Sequence, residues 1–183
     1  MHPQFSLSDS SFMLLDGFVN EHTSVYDQHI LKRGDIMNPI PFCPNAIANI
    51  SGGNLAPSLC GQVKFYQMKN YVFISVNVKG LPQNDSGFFG FHIHEGSSCT
   101  GSSLSDTGNH YNPVDVPHPT HAGDLPPLIR CNGGACQTIA TDRFHLAEII
   151  GRTVVIHNMP DDFHSQPAGN AGTKIACGVI CRT

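Results

Sequence analysis

The strongest constraint on this chain is a run of short apolar-alternating segments, each cut off by glycine, proline or asparagine. "CGQVKFYQM" (60–68) alternates and passes through "KN" into "YVFISVNVKG" (71–80), the pattern of a β-hairpin. Similar segments lie at 46–50, 87–95, 128–131, 136–141, 152–157 and 174–180, with "NGGA" as a hairpin turn between 131 and 136. Eight short strands without long helices predict an all-β chain, an antiparallel sandwich or flattened Greek-key barrel of immunoglobulin-like build. Two long polar stretches, 96–127 and 158–173, interrupt the strands, and at that length a loop is usually functional. Glycine (18) and proline (13) are plentiful and charged residues only 13%, which suits strands and turns.

The net charge of −4, with no basic block, argues against nucleic acid as a partner. No apolar run approaches the ~18 residues of a membrane span. Residues 1–43 read as an N-terminal extension to a domain over 44–183. Within the extension, 24–37 carries a ragged apolar stripe (Val25, Ile30, Leu31, Ile36) that predicts a short helix, with Gly34 of "RGD" as its terminating turn. The tripeptide alone is the whole basis for an adhesion reading. The three prolines of "NPIPFCP" (38–44) exclude regular structure there. The N-terminus has no basic start, and Asp9, Asp16 and Glu21 interrupt its apolar residues, so no secretory signal is visible; this tilts toward a cytoplasmic location but leaves the compartment open.

Eleven histidines are the compositional oddity. In "GFHIHEG" (90–96), strand alternation turns His92 and His94 to one face and Phe91 and Ile93 to the other. Alone, a His-x-His pair is more often a surface or hydrogen-bonded pair than a pair of metal ligands. The long loop, however, carries His110, His118, His121 and Asp124 in "GNHYNPVDVPHPTHAGDL", an N3O set suited to tetrahedral zinc. His157 ends the apolar strand "TVVI", where a buried ring needs a partner. With His92, His94 and one loop histidine it makes an all-imidazole set suited to tetragonal copper.

"GFHIHE", "GNHYNP", "HAGDL", "GRTVVIH", "DD" and "GNAGTKIACGVI", in this order over residues 45–181, resemble the copper/zinc superoxide dismutase family, in a short-loop, bacterial-looking form. The resemblance implies an eight-stranded Greek-key barrel with copper held by His92, His94, His110 and His157, and zinc by His110, His118, His121 and Asp124. His110 is then the shared imidazolate, and Asp161 the carboxylate that joins His92 to His118. The implied activity is disproportionation of superoxide to dioxygen and hydrogen peroxide by Cu(II)/Cu(I) cycling. The competing reading is a non-catalytic copper- and zinc-binding protein on the same fold, since fold does not dictate function. Oligomeric state is left open, a homodimer included.

Where the family has an arginine that docks the anion, this chain has Lys174. Lysine keeps the charge but not the planar two-pronged donor, so slower or more salt-sensitive capture is expected. Of seven cysteines, Cys99 and Cys177 match the family's intrasubunit disulfide. Cys131 and Cys136 flank the "NGGA" turn and can clip that hairpin, with a zinc reading of the pair as the alternative. Cys43 with Cys181 would join the first and last strands, leaving Cys60 as a buried thiol. His2, His22 and His29 read as solvated, or as auxiliary copper recruiters. His145 and His164 have no assigned role, although His164 lies in the copper-side loop.

Overall fold

The computed structural model describes residues 43–183. The helix expected at 24–37, the "RGD" turn and His2, His22 and His29 lie outside the described residues. Nine strands occur among those described: β1 Ala46–Gly52, β2 Cys60–Gln67, β3 Val72–Lys79, β4 Phe88–Phe89, β5 Phe91–His94, β6 Leu128–Ile129, β7 Gly134–Thr141, β8 Thr153–His157 and β9 Lys174–Arg182. Seven form one antiparallel sheet in the order β5-β8-β9-β1-β2-β3-β7, and β4 pairs with β6. Because β4 runs into β5 and β6 into β7, that short pair links the two edges of the curled sheet, as in a flattened Greek-key barrel.

The strand expected over 87–95 divides at Gly90. A Cβ at Gly90 would stand 2.8 Å from Ala171 Cβ and 3.2 Å from His157 Cβ, so only glycine lets the chain cross here. On one side of this crossing Phe88 faces Ile129; on the other Phe91 faces Ile156. The "NGGA" turn is tighter than its sequence suggested. Asn132 (φ 49°) and Gly133 (φ 78°) form a two-residue turn of the type-I′ kind, and β7 starts at Gly134. A four-residue helix, α1 (Leu146–Ile149), was not anticipated. The Glu148 carboxylate accepts from the His145 amide at its start, which gives His145 a capping position.

Alternation explains most strands: β3 buries Val72, Ile74, Val76 and Val78 and turns the residues between them outward. Strands β5 and β8 break this rule, being buried at every position. Phe91, Ile93, Val154 and Ile156 fill the core, while the outward side chains of His92, His94 and His157 are buried as well. Loops cover that part of the barrel wall. Cys99 and Cys177 are disulfide-bonded across 78 residues, which ties the start of one covering loop to β9. In the chain-entropy picture, closing a loop of that size is worth roughly 4–5 kcal/mol.

Candidate metal centre

The first loop reaches the barrel wall by pairing with β5. The Ile93 amide donates to Gly123 O (2.9 Å), Tyr111 donates to Ile93 O (2.8 Å), and Gly123 donates to Tyr111 O (2.8 Å). Isolated bridges set His94 beside His110 and His92 beside Asp124. Thus the loop histidines arrive next to the strand histidines through ordinary backbone pairing.

Two groups of candidate ligand atoms result, each with its atoms within 4.8 Å of one another: His92, His94, His110, His157, and His110, His118, His121, Asp124. His110 belongs to both. Every residue of the two groups is buried.

Hydrogen bonds at the far side of four rings decide which nitrogen faces inward. His92 Nε2 donates to Asp161 Oδ2 (2.8 Å) and His118 Nε2 to Asp161 Oδ1 (2.9 Å). His94 Nδ1 donates to Gly108 O (3.0 Å), and His157 Nδ1 to Gly172 O (3.2 Å). Carbonyls and carboxylates only accept, so the other nitrogen of each neutral ring carries a lone pair. His94 Nε2 and His157 Nε2 then present lone pairs to each other at 3.2 Å. Burial, followed by the neighbouring imidazoles, holds His94 well below the ordinary histidine range and His157 at about 3; burial also lowers His92. These rings stay neutral at pH 7, the form that binds metal.

The remaining inward atoms lack hydrogen-bond partners. His92 Nδ1, His110 Nε2, His118 Nδ1 and His121 Nδ1 are buried without one. His118 Nδ1 and His121 Nδ1 approach Asp124 Oδ2 to 3.0 and 3.2 Å, but without hydrogen-bonding alignment. His110 Nδ1 lies 2.7 Å from Asp124 Oδ1. Ligands on a tetrahedral ion with bonds of about 2.0–2.1 Å stand about 3.3 Å apart, close to these separations. Orphaned lone pairs converging on one point are costly unless a cation satisfies them. The residues fit zinc in the second group and copper in the first.

The family model described as "Copper/zinc superoxide dismutase (SODC)" matches residues 59–180. The Superoxide dismutase [Cu-Zn] 2 of Aquifex aeolicus (strain VF5) is 34% identical over 142 residues, covering 69% of this chain and 82% of its own length. The Superoxide dismutase [Cu-Zn] 3 of Arabidopsis thaliana is 33% identical over 153 residues, covering 74% and 88%. The Extracellular superoxide dismutase [Cu-Zn] of Drosophila melanogaster is 38% identical over 125 residues, covering 60% and 67%. This chain belongs to the copper/zinc superoxide dismutase family.

Asp161 accepts from the His92 and His118 rings and from the Phe163 amide (2.7 Å). Burial raises its pKa, but the hydrogen bonds from His92, Phe163 and His118 outweigh this and hold it at about 2. Burial likewise opposes ionisation of Asp124, yet the His110 hydrogen bond and the neighbouring imidazoles lower it on balance. Gly169 (φ +63°) lies so close to the Asp161 carboxylate that a Cβ there would stand 2.0 Å from Asp161 Oδ1. Asp162, the second residue of "DD", organises the loop rather than the rings. Its carboxylate accepts from the His164 and Ser165 amides, Ser165 Oγ and Asn170 Nδ2, which holds it at about 2.

Lys174 donates from Nζ to Thr107 Oγ1 and Gly108 O, both at 2.7 Å. It shares an open cleft of about 470 Å³ with His94, His110 and His157. Burial lowers its pKa, and Glu95 partly offsets this. His164 is exposed and does not line that cleft.

Three cysteine expectations are corrected. Cys131 bridges to Gly134, and Cys136 lies two residues further along β7, opposite Asn77 of β3; both thiols are free. Cys181 stands opposite Ile47, four residues beyond Cys43, so those two also stay unbonded. Cys60 is exposed, because Val63 and Phe65 take the inward face of β2.

Proposed function

We propose that this protein is a superoxide dismutase, converting two superoxide anions and two protons to dioxygen and hydrogen peroxide. One observation carries the reading. A single buried ring, His110, belongs to both ligand groups, with its Nδ1 beside Asp124 and its Nε2 left without a protein partner. Bound copper supplies one-electron redox chemistry there, and bound zinc a fixed, redox-silent positive charge.

The chain's own residues do the rest. His92 Nδ1, His94 Nε2, His110 Nε2 and His157 Nε2 would hold copper. His110 Nδ1, His118 Nδ1, His121 Nδ1 and Asp124 would hold zinc. Far-side hydrogen bonds to Asp161, Gly108 and Gly172 hold four of the rings in the tautomer that presents the needed lone pair. His110 Nε2 is the atom placed to take and release a proton for peroxide formation. The His110 ring centre lies 4.0, 4.9 and 5.9 Å from those of His92, His94 and His157, while Asp124 on Nδ1 keeps the ring aimed.

Superoxide is an anion approaching a chain of net charge −4, so local positive potential must offset the bulk field. Lys174 supplies it. Its ammonium is anchored at Gly108 O, the carbonyl that also accepts from His94. The open cleft favours an enzyme over a sealed metal store, because substrate needs a path to the rings. The test is metal content and superoxide consumption measured on one sample. One copper and one zinc per chain with rapid consumption supports the reading; a fully metallated sample that leaves superoxide untouched refutes it.

A further inference from the structure

The loop that delivers His110, His118, His121 and Asp124 forms almost no regular structure between residues 111 and 127, yet it carries four candidate ligands in a fixed array. Its backbone groups must find partners elsewhere. Two side chains outside the ligand groups provide them. Gln166, in the second long loop, makes a paired amide contact with the backbone of His118. Its Oε1 accepts from the His118 amide (3.1 Å), and its Nε2 donates to His118 O (2.6 Å). Arg143, just beyond β7, reaches the other end of the segment. Its Nη1 donates to the carbonyls of Asp124 (2.9 Å), Pro119 (3.2 Å) and His121 (3.2 Å).

We infer that Gln166 and Arg143 are positioning residues that clamp the zinc-ligand segment 118–124 from two sides and shape it before zinc arrives. The inference rests on the zinc reading of His110, His118, His121 and Asp124. Three features support it. The contacts are to backbone, so they set where the ligand side chains start without touching the ligand atoms. Gln166 holds the one loop histidine that also bonds Asp161, so the second loop grips His118 at its ring and at its main chain. Arg143 stays charged at any working pH, and the two N–H groups of its Nη1 are shared among the three carbonyls as charge-assisted hydrogen bonds. Neither residue contacts His92, His94 or His157 by hydrogen bond, which makes the effect specific to one half of the centre.

Both side chains are on exposed residues, so Gln166→Met and Arg143→Met leave the barrel core alone. The experiment measures zinc and copper dissociation constants by chelator competition on the full chain, and amide hydrogen exchange at 118–124 in the metal-free protein. Removing partners behind metal ligands typically costs 10–100-fold in affinity, so the zinc constant should rise about 10- to 100-fold and the copper constant less than about threefold. Exchange at 118–124 should quicken while β3 amides stay protected. Unchanged zinc affinity overturns the inference, and so does an equal loss of zinc and copper affinity. If the unmodified protein fails to bind zinc, the reading of the site falls, and the exchange data alone then decide whether the clamp exists.

Discussion

Replacing Asp161 with alanine should separate the two halves of the metal centre. In the native protein this carboxylate accepts from His92 Nε2 at 2.8 Å and from His118 Nε2 at 2.9 Å, with the carboxylate and both rings fully buried. Each is a hydrogen bond to a charged group, worth about 1.5–3 kcal/mol. At about 1.4 kcal/mol per tenfold, that is roughly 10- to 150-fold in affinity for any ring whose orientation depends on it. The rings do not depend on it equally. His92 sits on β5, with Val155 of β8 as its ladder partner, so its ring direction is set by packing as well. His118 sits on irregular chain, and beyond Asp161 only the Gln166 contacts to its backbone hold it. Zinc affinity should therefore fall close to the full amount, about 10- to 100-fold, and copper affinity by about a tenth of that factor. Chelator competition at pH 7, well below the melting temperature, reads both constants. A larger loss of copper than of zinc would refute the reasoning, as would no loss of either.

Gly169→Ala approaches the same carboxylate from outside, since the new Cβ would fall 2.0 Å from Asp161 Oδ1 at a φ of +63°. The left-handed backbone and the overpacking together should destabilise the metal-free protein by about 2–4 kcal/mol and weaken zinc binding, read by thermal unfolding and competition; wild-type values would contradict the packing argument. Lys174→Gln should lower the second-order rate with superoxide about tenfold at low ionic strength and flatten its salt dependence, whereas Lys174→Arg should raise the rate, because two of the lysine N–H groups are already committed to Thr107 and Gly108. No change in either variant would remove Lys174 from the mechanism. In metal-free protein, His92, His94 and His157 have folded pKa values below the ordinary 6.5, so the unfolded chain takes up protons first as pH falls. Stability should then decline below about pH 6.5, by up to about 1.4 kcal/mol per pH unit for each ring, and continue toward pH 3; a flat melting temperature between pH 6.5 and 5 would contradict it.

Much of this centre could be read from the chain because the information is local. Strand alternation turns His92 and His94 to one face; the same alternation around Val63 and Phe65 puts Cys60 outward, a signal that the expectation of a buried Cys60 overlooked. The ligand histidines stand out because a polar loop rich in proline and glycine has few other reasons to carry three of them beside an aspartate. What escaped depends on register and on contacts distant in sequence. The offset between Cys131 and Cys136 follows from the two-residue turn, and Cys181 is matched to Ile47 only once β1 and β9 are aligned. Gly90 interrupts a strand because of Ala171 and His157, which approach it from about 70–80 residues away in sequence. Gln166 and Arg143 hold backbone atoms, and a backbone contact leaves no pattern in residue types.

Anomalous diffraction at the copper and zinc absorption edges from the metal-loaded protein tests the shared ring most directly. Two distinct peaks are expected, copper beside His110 Nε2 among His92, His94 and His157, and zinc beside His110 Nδ1 among His118, His121 and Asp124. A single metal position, or a His110 ring bonded to neither ion, would contradict the account.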